Sequence, residues 1–207
     1  MNYFIPFFIL FFSACSTLMT PSSLKDALKP IKLEGEGRGR IGYYDQNYLF
    51  RFESVLRDKN WILSLTIPMH GQEVLVFEDL HKKNSSGEMQ KLEVQIDQEI
   101  KKQTKIKELD EENIMAHLRS LVRFVEAKRL GLTPSCNQQK CTLDEVTFLV
   151  TPIKDGVLIK KYINENYFVE FGAMYLENDS YSRTNFYLKK DKNKENLFSL
   201  ELFWKNK

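Results

Sequence analysis

From Ile31 onward the chain alternates apolar and polar residues with period two, and only one segment departs from that rhythm. Alternation of this kind is the signature of strands with one buried face. Ile31, Leu33, Gly35, Gly37, Gly39, Ile41 and Tyr43 share one face of the first extended segment, while Lys32, Glu34, Glu36, Arg38 and Arg40 share the other. Glycines confined to an apolar face leave room there, for a bend or for close approach by another backbone or a ligand. Tyr48, Phe50 and Phe52 follow in phase, then Trp61, Leu63, Leu65 and Ile67, the doubly apolar Val74–Phe77, and Leu92, Val94 and Ile96. Beyond the middle of the chain the alternation resumes at Val146, Phe148 and Val150. It continues through Val157–Ile163, Tyr167–Ala173, Phe186 and Leu188, and ends on Phe198, Leu200, Leu202 and Trp204.

The departing segment is helical. Ile114, Leu118, Leu121, Val122 and Val125 fall at i, i+4, i+7, i+8 and i+11, one stripe of an amphipathic helix. Asp110, Glu111 and Glu112 suit its N-terminal dipole, Lys128 and Arg129 its C-terminus, and Gly131 the C′ position. Nine or ten antiparallel strands with one mid-chain helix exclude a doubly wound α/β fold, which needs helices between most strands. The order predicts a mainly β protein with a helical lid: an antiparallel, unclosed β-barrel or strongly curved sheet around a hydrophobic concavity. The helix either closes that concavity or fills it.

Residues 1–12 are almost wholly apolar and run into Phe12-Ser13-Ala14-Cys15-Ser16. A short apolar stretch followed by small residues reads as a secretory signal. Cys after Ser-Ala resembles the lipobox of bacterial lipoproteins, although Phe12 stands where Leu is usual and no Lys or Arg precedes the run. An ordinary signal peptide with a coincidental Cys is the alternative. Residues 1–14 form the predicted signal, 15–30 a lipidated tether and 31–207 one domain. The lipobox resemblance implies acylation at Cys15, and two or more acyl chains are what stable anchoring requires. Ser16, rather than Asp, after the Cys implies the periplasmic face of the outer membrane.

The formal charge of +2 is too mild to imply nucleic acid. Lys101–Lys107, the densest basic stretch, reads as a solvated loop before Asp110. An export signal makes a disulfide the default for Cys136 and Cys141. Closing so small a ring contributes only about 2 kcal/mol. No metal site is expected, because His70, His81 and His117 lie far from the cysteine pair and at no zinc-like spacing. Gly-x-Ser-x-Gly, His-Glu-x-x-His and a phosphate-binding glycine loop are all absent. Neither catalysis nor a cofactor is expected, and His117 reads as a packing or surface residue.

Two segments carry a family resemblance. Arg38-Gly39-Arg40-Ile41-Gly42-Tyr43-Tyr44-Asp45-Gln46, Tyr48-Leu49-Phe50-Arg51-Phe52 and Trp61–Gly71 with its Pro68-Met69-His70-Gly71 turn resemble LolB, the outer-membrane receptor for lipoproteins. Tyr167-x-Val169-x-Phe171 and the closing Leu197–Trp204 are similar in kind. Glu53 stands where the family carries Trp, Arg183 where it carries Pro, and His70 is an insertion beside Met69 in place of Leu. The charged stretch Leu80–Lys107 and the Cys136–Cys141 loop have no family counterpart.

The resemblance implies a monomeric receptor with no chemical step. It would take acylated lipoproteins from a LolA-like periplasmic carrier and release them into the outer membrane. Ile41, Tyr48, Phe50, Phe52, Leu63, Leu65, Val169, Phe171 and Leu200 would line the acyl-chain cavity beneath the helical lid. Pro68, Met69, His70 and Gly71 would form the membrane-insertion loop, with Met69 either tucked onto its own sheet or projecting. A different lipid or glycolipid as cargo, or a structural role in an envelope assembly, are the alternatives.

Overall fold

A computed structural model describes residues 31–43, 46–68, 71–82, 111–175, 181–192 and 195–205. Cys15, Met69, His70, the expected strand at Leu92–Ile96 and Lys101–Lys107 lie outside the described residues. Four strands come first: β1 (Gly35–Tyr43), β2 (Gln46–Arg57), β3 (Asn60–Ile67) and β4 (Gly71–Phe77). One helix, α1 (Glu111–Val125), follows. Then come β5 (Ser135–Asn137), β6 (Lys140–Leu143), β7 (Val146–Ile153), β8 (Gly156–Tyr162), β9 (Tyr167–Tyr175), β10 (Tyr181–Lys190) and β11 (Glu195–Trp204).

All eleven described strands form one antiparallel sheet in the order β4-β3-β2-β1-β11-β10-β9-β8-β7-β6-β5. Every neighbour is a sequence neighbour except β1 and β11, which join the N-terminal and C-terminal halves of the sheet. Among the described strands the two edges are therefore β4 and β5, and the chain between them is the part that carries α1.

The curl can be measured from two rings. Trp61 on β3 and Phe186 on β10 stand four strand steps apart, about 19 Å on a flat sheet, yet their ring centroids are 6.2 Å apart. The glycines of β1 help make that curl. A Cβ built on Gly37 would meet the Phe52 ring at 2.8 Å, and one on Gly39 would overlap the Phe50 ring. Close approach is thus realised by the chain's own aromatics, which lie flat across the strand.

Two local expectations need correction. The Cys136–Cys141 segment is no simple loop but the hairpin β5–β6, with Cys136 directly opposite Cys141 and the two disulfide-bonded. Strands of three and four residues are too short to display a period. The regular helix stops at Val125, short of Lys128 and Arg129, and the chain continues in turns. Gly131, at φ +70°, still ends the coiled path: Leu132 N–H reaches Ala127 O at 2.8 Å and Gly131 N–H reaches Lys128 O at 3.3 Å, a Schellman closure.

Candidate functional site

The concave side is where the apolar phases of the strands converge. Phe50, Phe52, Leu63, Leu65, Val169, Phe171 and Leu200 are all buried there, and Ile41 and Tyr48 are half-buried. They join one continuous core with Trp61, Phe77 and Phe186. Trp61 stacks on Phe77 at 5.4 Å, and Phe171 packs on Phe186 at 5.0 Å. The Trp61 indole N–H is held by Ser54 Oγ at 2.9 Å, which satisfies a polar atom that would otherwise be costly there.

Helix α1 lies in the trough rather than on it. Leu118, Leu121, Val122 and Val125 are buried, and Ile114 is half-buried against the same core. Every residue from Leu121 to Ala127 is buried, not one stripe alone. Phe124, outside the predicted stripe, stacks on Phe148 of β7 at 4.2 Å. Towards its N-terminal end, Met115 and His117 are only partly covered. Closure is therefore tight at one end of the helix and looser at the other.

Charged side chains secure the tight end. Arg123, 6 % exposed, donates Nε–H to Leu80 O at 2.6 Å and Nη2–H to His81 O at 3.0 Å, and pairs with Asp144 in the β6–β7 turn. Arg119 Nη2 reaches Asp79 O at 2.7 Å. Glu126, 1 % exposed, accepts the Leu33 N–H at 2.6 Å and is flanked by Arg129, which also pairs with Glu34 at 2.9 Å. Burial pushes the Glu126 carboxyl above its ordinary range, against the pull of the Leu33 N–H. One end of α1 is thus tied to the lead-in of β1, the tail of β4 and the β6–β7 turn.

The loose end is basic. Pairing of β7 with β8 stops at Leu149 and Lys160, while β6–β7 pairing runs on to Val146 and β8–β9 pairing to Tyr162. Where the two strands part there is an open depression of about 450 Å³ lined by Lys140, Val146, Leu149, Lys160, Lys161 and Tyr162. Among the described residues no Asp or Glu lines it. Lys160 is committed, 3.2 Å from Asp191 and 3.5 Å from the Phe168 ring centroid. Lys161 is not. Its register partner on β9 is the buried Val169, and burial pushes its ammonium down to about 8. Among the described residues it has no hydrogen-bond or ion-pair partner. His117 lies near enough to sense that charge: burial and Lys161 together push it down to about 4, and its Nδ1 is buried with no partner among the described residues.

Sequence reasoning missed Arg123, Glu126 and Lys161. The signal for Lys161 was present: Val157, Ile159, Lys161 and Ile163 share one phase, and the lysine occupies an apolar slot in it. Of the expected insertion turn, Pro68 and an exposed Gly71 at φ +96° are described. Among the described residues no cluster of His, Cys, Asp or Glu could hold a metal ion, and no helix is long and apolar enough to cross a membrane. Comparison of the chain with protein-family models, curated proteins and solved structures finds no match.

Proposed function

We propose that this protein is a lipid-anchored receptor of the LolB kind, which accepts acylated lipoproteins from a periplasmic carrier and delivers them to the outer membrane. The observation that carries the reading is the placement of α1 against the inner side of β7, β8 and β9 of an unclosed sheet, clamped by Arg123 to the segment after β4 and to the β6–β7 turn at its C-terminal end and looser at its N-terminal end. A lid of that construction opens by pivoting. Its opening would uncover the apolar face formed by Phe50, Leu63, Val169 and Phe171. Transfer between two apolar surfaces needs no chemical step, since each CH₂ kept from water is worth about 0.8 kcal/mol. The concave side chains pack against one another in the closed form, so cargo entry must be coupled to movement of α1.

A transfer assay tests this. The protein is mixed with a carrier loaded with radiolabelled acylated lipoprotein, and then with liposomes. Label should leave the carrier and reach the liposomes, and Met69→Glu should allow the first step while blocking the second. Cys15→Ala should release the protein from outer-membrane fractions. Cargo that stays on the carrier would overturn the reading.

A further inference from the structure

We propose that the parting of β7 and β8 is a binding site for an oxyanion, a phosphate or a carboxylate, anchored by the Lys161 ammonium. Three observations converge on it. The depression is of ligand size, since small-molecule sites run from about 300 to 1,000 Å³, and this one measures about 450 Å³. Its lining carries three lysines and, among the described residues, no carboxylate; Asp191 neutralises Lys160 from outside it, which leaves Lys140 and Lys161 for a ligand. Its innermost lysine is half withdrawn from water on the apolar phase of β8, with no partner among the described residues, while neighbouring Lys160 already has Asp191.

An ammonium in that position is costly unless an anion joins it. Nothing in the packing asks for a charge at 161, because the same phase of β8 is filled by Val157 and Ile159, both buried. Lysine binds phosphate as a compact point charge and tolerates many approach directions. His117 on α1, whose titration the Lys161 charge affects, carries a second buried polar atom with no partner among the described residues. Its imidazole is neutral at neutral pH, so Nδ1 can carry the hydrogen and donate to an anion without adding repulsion to Lys161. Val146, Leu149 and Tyr162 give the same depression apolar wall. An oxyanion attached to a hydrocarbon body fits it as well as a free one does.

This site stands on its own lining and does not depend on the transfer of acylated cargo. Its test therefore makes no use of lipoprotein. The purified full chain is labelled with trace acetic anhydride, and modification of each lysine is followed by peptide mass spectrometry with inorganic phosphate, octyl phosphate or octyl glucoside present. Octyl phosphate should protect Lys161 selectively, with octyl glucoside inert. Equilibrium dialysis should show that Lys161→Gln weakens octyl phosphate binding about tenfold or more, the worth of one charge-assisted hydrogen bond, while Lys161→Arg retains most of it. Equal, Lys161-dependent protection by inorganic phosphate identifies the ligand as a free anion. Protection by octyl phosphate alone identifies an amphiphile headgroup. Absence of protection by either phosphate, or binding unchanged in Lys161→Gln, overturns the site. Circular dichroism of the variants excludes loss of fold as the cause.

Discussion

Glu126 accepts the backbone N–H of Leu33 at 2.6 Å, across 93 positions of sequence, and through that bond the end of the helix holds the start of the sheet. The carboxylate is fully buried, and Arg129 is its charged neighbour. Glu126→Ala leaves the Leu33 N–H buried without an acceptor and should cost about 1–3 kcal/mol in urea unfolding. Glu126→Gln keeps an acceptor and should cost less. The native carboxyl sits above its ordinary range, so the native form holds its proton longer than the unfolded chain. Stability should therefore fall as pH rises through the carboxylate range, and that slope should disappear in Glu126→Gln.

Gly39 lies under the ring of Phe50. A methyl group added there has nowhere to go, since it would overlap the ring and approach Glu201 O at 2.8 Å. Gly39→Ala should destabilise by about 1–3 kcal/mol, the usual range for overpacking. Phe50→Leu in the same chain should recover part of that loss. A double-mutant cycle in denaturant measures the coupling, and strict additivity would show that the ring does not set the requirement for glycine.

His117 should make the fold acid-sensitive. Its native value of about 4 lies below the ordinary 6.5, so the unfolded chain binds the proton first as pH falls. Stability should decline from about pH 6.5, with the full loss reached below pH 4. The contribution should be about 1–2 kcal/mol once partial exposure to solvent is allowed for. His117→Gln should flatten this part of the profile. Thermal melts between pH 3.5 and 7.5 provide the readout.

Lys161 should behave as a group kept at the expense of stability. Its native value of about 8 against an ordinary 10.5 means the native form sheds its proton first, so stability should rise between pH 8 and 10.5. Lys161→Met should stabilise the protein by about 1–2 kcal/mol at pH 7 and abolish that rise. A destabilised Met variant would show that the ammonium is better solvated than its burial implies.

The Cys136–Cys141 bond joins opposed residues of a hairpin at the sheet edge, five positions apart in sequence. Reduction should lower stability by about 2 kcal/mol, the loop-closure value for so short a ring, without loss of the fold. Urea midpoints with and without reductant measure it.

Most of the strands could be read from the chain because their alternation has a local cause. Phe50 and Phe52, Leu63 and Leu65, or Val169 and Phe171 fall two apart and emerge on one side of whatever sheet they join. Gly131 was legible for a similar reason, since its position after a helical stripe is itself a local signal. The β5–β6 hairpin was not, being shorter than the window in which a period can be seen.

What the sequence by itself determined is most of the described strands, their inward phases and the helix α1, because each depends on neighbours within a few residues. Only the tertiary structure decided that β1 pairs with β11, that Trp61 meets Phe186, and that α1 and the turn after it pack closely enough to bury Arg123 and Glu126. It alone placed Lys161 near enough for its charge to act on His117 towards the less covered end of α1. These relationships join residues tens to more than a hundred positions apart. They are selected by how a curled sheet closes over a helix, which no local pattern of residues encodes.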